Sequence, residues 1–152
     1  MTVEVVSYSE DRPVQFAHIA NDLSRALDGI PIVAVEHVGS TAVPGLAAKP
    51  VLDIDVIVER EQVQAAPDDA PRRHVHVCVE GTLRLRSHLA VREVLRTHPD
   101  LRDRYGAVKL ALSLDPDIDM ATYIARRSDV LQEVLSVSNR QQMTEATPRE
   151  TA

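Results

Sequence analysis

Between Asp11 and Leu27 the apolar residues Phe16, Ile19, Ala20, Leu23, Ala26 and Leu27 recur at helical spacing. This predicts an amphipathic helix, with Asp11 placed to cap it, Pro13 tolerated in its first turn, and Gly29 and Pro31 stopping it. The period then changes. Pro31 to Val38 and Val51 to Val58 are β-branched and apolar, interrupted only by acids and His37. Such runs read as strands covered on both faces and set in the middle of a sheet. Val43-Pro44-Gly45 forces a turn between them, and Lys49-Pro50 favours an extended entry into the second. His74 to Val79 alternates His-Val-His-Val-Cys-Val, a third strand with both histidines on one face. Glu59 to Arg73 is polar, and its Pro-Asp-Asp-Ala-Pro core reads as a loop.

The second half reads as three helices. Leu85, Leu89, Val91, Val94 and Leu95 mark the first, and Thr97-His98-Pro99-Asp100 ends it and starts the next. Leu101, Tyr105, Val108 and Leu112 line the second; after Asp115-Pro116-Asp117, Met120, Ile124, Leu131 and Leu135 mark the third. From Asn139 the chain is polar and loses its period. The expected organisation is therefore one α/β (α+β) domain over residues 1–138, followed by a disordered polar tail at 139–152. A small mixed sheet carries an N-terminal helix and a C-terminal three-helix subdomain.

Composition narrows the function classes. Of 152 residues, 44% are hydrophobic and 26% charged, ordinary values for a domain with a real core. A formal charge of −6 argues against polymeric nucleic acid as a partner. Cys78 is the single cysteine, so neither a disulfide framework nor a zinc site built on cysteines is available, and a reducing, cytoplasmic setting is expected. The N-terminus lacks a signal-peptide pattern. No stretch approaches the roughly 20 apolar residues that span a bilayer, so no membrane partner is expected.

The chemistry concentrates in residues 36–58. Asp53 and Asp55 are two apart on a strand and so project from one face. The turn at Gly39, Ser40 and Thr41 supplies backbone N–H and hydroxyl donors suited to phosphate, and Lys49 adds a point charge. Mg²⁺ takes one or two carboxylates and completes its shell with water and substrate phosphate, so this pairing points to a divalent ion and a nucleotide. His74 and His76, if their strand lies beside the acids, would extend the metal site and suit Mn²⁺ or Zn²⁺ as well. His37 is expected to be structural, hydrogen-bonded under the turn. Arg92, Lys109 and Arg127 fall on successive helices and are candidates to face the acids, with Arg92 ranked first because it shares the side of its helix with Leu85, Leu89 and Leu95. Tyr105 and Tyr123 are expected in the core.

The run E-H-V-G-S-T-A-V-P-G-L-A-A-K-P, followed by the Asp-x-Asp strand, closely resembles the signature of the GrpB family, a branch of the DNA polymerase beta-type nucleotidyltransferase superfamily. Tyr8 with Phe16, H-V-H-V at 74–77, H-L-A-V-R-E-V-L-R-T-H-P at 88–99, and Tyr105 with Lys109 extend the similarity to about Leu135. The resemblance implies a nucleotidyltransferase-like fold. It also implies metal-dependent transfer of a nucleoside monophosphate from an NTP to a small-molecule or protein acceptor. In that reading Asp53 and Asp55 hold Mg²⁺, Gly39, Ser40 and Thr41 hold phosphate, and Lys49 and Arg92 offset charge. The chain departs from the family's pattern in a shortened stretch before His74, in Glu93 where Asp is usual, and in Arg127 where Lys is usual. The shortened stretch keeps open an inactive binding or chaperone-like module, and the paired histidines keep open a transition-metal hydrolase on Asp53, Asp55, His74 and His76.

Overall fold

The computed structural model describes residues 3–60 and 73–145. The expected loop within Glu59 to Arg73 falls almost entirely outside the described residues, as does the chain after 145. Helix α1 spans Arg12–Ala26, strands β1, β2 and β3 span Ile32–Val38, Leu52–Val58 and Arg73–Val79, and helices α2, α3 and α4 span Leu83–Thr97, Pro99–Ser113 and Met120–Glu145. No helix among the described residues is long and apolar enough to cross a membrane.

The sheet order is β1-β2-β3, with β1 antiparallel and β3 parallel to β2. This is a mixed α+β architecture. The central position expected for both apolar strands holds for β2 alone. Strand β1 is covered on its two faces but forms one edge, and Val33 there is 45% exposed. Apolar runs report coverage of faces and carry no information on whether an edge is paired.

Strand register sorts the residues between the two faces. Glu36 lies opposite Asp55 and His76, and Val38 opposite Asp53 and His74, so these six share one face. The other face presents Ile54, Val56, Val58 and Val75 to Leu23, Phe16 and Ile19 of α1. Helix α2 crosses the polar face, where Leu85 and Leu89 cover Ile57, Cys78 and Ala34. Val94 and Leu95 on its other side join Tyr105, Val130 and Val134, so α2, α3 and α4 close around Val43 and Leu46 of the chain that follows the Gly-Ser turn.

Local signals explain most boundaries. Pro99 opens α3 with its missing N–H in the first turn, and His98 before it is extended (φ −123°, ψ 85°), as a residue preceding proline prefers. Asp11 does not act as expected: its backbone is already helical (φ −76°, ψ −12°), and its side chain makes no cap hydrogen bond. A carboxylate reaches the first-turn N–H groups from an extended residue, which Asp11 is not. Helix α4 continues past Asn139 to Glu145, with the Arg140 Nη1 donating to Ser136 Oγ one turn back (3.4 Å). Arg, Gln and Met sustain a helix without an apolar stripe, so loss of period did not end it.

Candidate functional site

Strand β1 is followed by Gly39, and Ser40–Ala42 form one turn of 3₁₀ helix. Gly39 has φ 71° and ψ −172°, a region that only glycine occupies readily. A β-carbon there would collide with Asp53 Oδ2 and stand 3.0 Å from the Asp53 Cβ. Glycine is thus required twice, for the backbone and for the approach to the acid.

Past that contact lies a cavity of about 190 Å³ lined by Ser40, Lys49, Asp53, His74, Lys109, Tyr123 and Arg127, together with Ala48 and Val51. Val6 and Ala48 exchange backbone hydrogen bonds of 2.9 Å, which pins the segment carrying Lys49. Three cations here face one carboxylate. Lys109 is 2% exposed, and its Nζ has no hydrogen-bond partner; the same holds for the buried Tyr123 hydroxyl and Arg127 Nε. The cations rest on rings: Lys109 Nζ is 4.4 Å from the centre of Tyr105, and Lys49 Nζ, which also donates to Met120 Sδ at 3.6 Å, and Arg127 Cζ are 5.0 and 5.8 Å from that of Tyr123. Burial, followed by the charge on Arg127, lowers the Lys109 pKa to about 7, while Asp53 acts in the opposite sense. Lys49 is lowered by the same causes, and burial raises Tyr123 and Tyr105. Buried donors without acceptors cost free energy, and an anion in this cavity would satisfy all three at once.

The two acids of the Asp-x-Asp strand have different surroundings. Asp53 lines the cavity with its side chain 35% exposed, and its Oδ1 is 3.2 Å from His74 Nδ1. Asp55 is fully buried beneath α2, where its Oδ2 meets His88 Nδ1 at 2.8 Å. His76 takes Arg84 of α2 at its Nδ1 (3.4 Å). Among the described residues, the group of three side chains whose ligand atoms lie within 4.8 Å of one another is Asp55, Cys78 and His88, which does not include Asp53, His74 or His76.

Arg92, ranked first among the helix cations, does not line the cavity. Its Nη1 donates to Glu36 Oε2 (2.7 Å) and the His37 carbonyl (2.8 Å), and its Nε to Glu93 Oε1 (2.9 Å). It therefore ties α2 to β1. Arg96 likewise donates to the Ala42 carbonyl, fixing the far end of the turn. Both arginines border a second cavity, of about 320 Å³, with Tyr8, Phe16, His37 and Thr41. Thr41 turns to that side, its Oγ1 3.0 Å from His37 Nε2, so His37 does sit hydrogen-bonded under the turn. Its ring stacks on Phe16 at 5.0 Å, and burial, then Arg96 and Arg92, lowers its pKa to about 4.

Three residues that matter here were not singled out as site residues by the pattern. Tyr123 reads as a core position and is one, 1% exposed, yet it lines the cavity. His88 shares a helix face with Leu85 and Arg92, a spacing that could have flagged it. Cys78 follows His74 and His76 on the same face of β3, so the alternation could have flagged it, but its place beside Asp55 depends on the register with β2.

The sequence profile of the family described as GrpB protein matches residues 2–70 and 59–137. The chain is 37% identical over 135 residues to the UPF0157 protein SCO7215 of Streptomyces coelicolor, spanning 74% of this chain and 73% of that protein. It is 29% identical over 163 residues to the UPF0157 protein BH1888 of Halalkalibacterium halodurans, spanning 91% and 83% respectively. The crystal structure of the conserved protein GrpB from Enterococcus faecalis superposes with a TM-score of 0.75 at 29% identity, over 88% of this chain and 98% of that one.

Proposed function

The chain belongs to the GrpB family, and from that membership and the cavity beside Asp53 we propose a nucleotidyltransferase-like domain that transfers a nucleoside monophosphate from an NTP to a small-molecule or protein acceptor. One observation carries the reading: the buried, unpartnered Lys109 Nζ, Arg127 Nε and Tyr123 hydroxyl converge with Lys49 and Ser40 on a cavity whose one acid is Asp53. Phosphate groups supply the acceptor oxygens that these donors lack, and a cationic cavity lined by buried side chains strengthens each contact.

The donor set fits Mg²⁺ in part. A partly exposed carboxylate at the rim of an anion cavity, completed by phosphate oxygens and water, is an ordinary Mg²⁺ arrangement, and Mn²⁺ would serve the same ligands. Such an ion supplies charge neutralisation at the phosphates. Asp53 would hold it directly, with His74 orienting the carboxylate. Asp55, under His88, does not reach the cavity lining.

The protein's own residues then have separate jobs. Gly39 lets the turn close on Asp53; Ser40, Tyr123 and Arg127 orient the phosphates; Lys109 and Lys49 balance their charge. Asp53→Asn is expected to retain the fold and lose metal-dependent nucleotide affinity, measured by calorimetry with Mg-NTP. Unchanged affinity would remove Asp53 from the site. A thermal-shift panel of NTPs with Mg²⁺, Mn²⁺ and Zn²⁺ tests the ligand class, because a ligand at 100 times its Kd adds about 2.7 kcal/mol of stability. No shift with any nucleotide would favour the idle binding module.

Lys109 also sets a pH dependence. Below about 7 it is protonated before binding. Above that, an anion must draw a proton on to it, so affinity falls with rising pH by up to about tenfold per unit. Pyrophosphate affinity measured between pH 6 and pH 9 should show this decline. A profile identical to that of Lys109→Met, which reports the ionisation of pyrophosphate itself, would exclude Lys109 as a ligand.

A further inference from the structure

Asp55, Cys78 and His88 come from three different elements, β2, β3 and α2, and each offers one ligand atom within 4.8 Å of the others. They stand behind the anion cavity, and none of them lines it. Asp55 has 0% exposure; one of its oxygens meets His88, while Oδ1 is buried without a hydrogen-bond partner. A fully buried carboxylate with an unused oxygen calls for a cation or a donor, and the described residues offer it only the weak thiol donor of Cys78.

We propose that Asp55, Cys78 and His88 bind one zinc ion, which locks α2 on to the sheet. The set contains one oxygen, one sulfur and one nitrogen donor, the mixture that suits Zn²⁺ and fits Mg²⁺ or Ca²⁺ poorly. Charge fits as well: a carboxylate and a thiolate neutralise a divalent ion, so the buried unit carries no net charge. At Zn–ligand lengths of about 2.0–2.3 Å, tetrahedral ligands stand roughly 3.3–3.8 Å apart, so small movements bring all three into place. His88 Nδ1 leaves Asp55 Oδ2 for the ion, and the Cys78 thiol gives up its proton to solvent. The His88 side chain, 31% exposed, is the route for entry and leaves a fourth position for water. A single cysteine suffices for such a mixed site.

Co²⁺ is the probe, because a thiolate ligand gives it a charge-transfer absorption that nitrogen and oxygen ligands do not. Chelator-treated full-length protein should take up one equivalent of Co²⁺ with that band, and Zn²⁺ should displace it. Cys78→Ser should remove the band and weaken Co²⁺ binding at least tenfold, with a far-ultraviolet circular dichroism spectrum like that of the parent. His88→Gln, at a half-exposed position, should weaken binding without disturbing the core. Asp53→Asn should keep both stoichiometry and band, which separates this site from the nucleotide site. Absence of Co²⁺ binding overturns the proposal. So does binding without the thiolate band, which would place the ion on His74 and His76, or binding by Cys78→Ser equal to that of the parent.

Discussion

Replacing Lys109 with methionine is expected to give a more heat-stable protein that has lost most of its affinity for phosphate-bearing ligands. Lys109 is buried on α3 with an unpartnered amino group. In the free protein it gives up its proton near pH 7 instead of the ordinary 10.5, whereas the unfolded chain keeps it. Native stability is therefore depressed below about 7 and recovers as pH rises from 7 towards 10.5. Methionine fills a similar volume without the charge, a kind of change that stabilises by about 1–3 kcal/mol. For a chain of this size that raises Tm by about 3–10 °C. The same change removes a charge-assisted contact, so pyrophosphate or NTP affinity should fall on the order of 10–100-fold. Thermal unfolding and calorimetry on one preparation read both effects. A destabilised variant with intact affinity would mean that Lys109 serves the core and not a ligand.

The second large effect is expected at Gly39. Glycine to alanine there meets a backbone that L residues avoid and a direct collision with the Asp53 carboxylate. Strain of this kind costs about 1–3 kcal/mol. The greater loss should be functional, because Asp53 must swing away from His74 and from the cavity to make room. Gly29→Ala is the matched comparison: its φ is 83°, but a β-carbon there meets nothing within 4 Å. Both variants should lose stability, and only Gly39→Ala should lose metal-dependent NTP binding. Equal binding by the two would show that the approach of the turn to Asp53 has no part in the site.

Much of this arrangement was legible in the sequence, for identifiable reasons. The apolar period located all four helices and three strands, with the C-terminal end of α4 underestimated because its last turns carry no apolar stripe, since each element buries one face or both against a neighbour. Ser40, Lys49 and Asp53 were readable as a phosphate and metal end because they sit within one short segment. What the pattern did not contain was direction across the fold. Arg92 looked best placed from its apolar neighbours, yet Glu36 draws it to β1, while Lys109 and Arg127 turn inward to the cavity. The two acids share a face and a spacing, but α2 covers Asp55 and leaves Asp53 open, a difference that only the packing of α2 determines. Likewise His88 and Cys78 meet Asp55 through strand register and helix crossing, neither of which a one-dimensional pattern encodes.

The most direct test of the account is the crystal structure of the protein with Mn²⁺ and a nonhydrolysable NTP. The triphosphate is expected in the cavity between Ser40, Lys109, Tyr123 and Arg127, with anomalous scattering from Mn²⁺ at Asp53. A triphosphate bound elsewhere, for example beside Arg92 and Arg96, or manganese remote from Asp53, would contradict it.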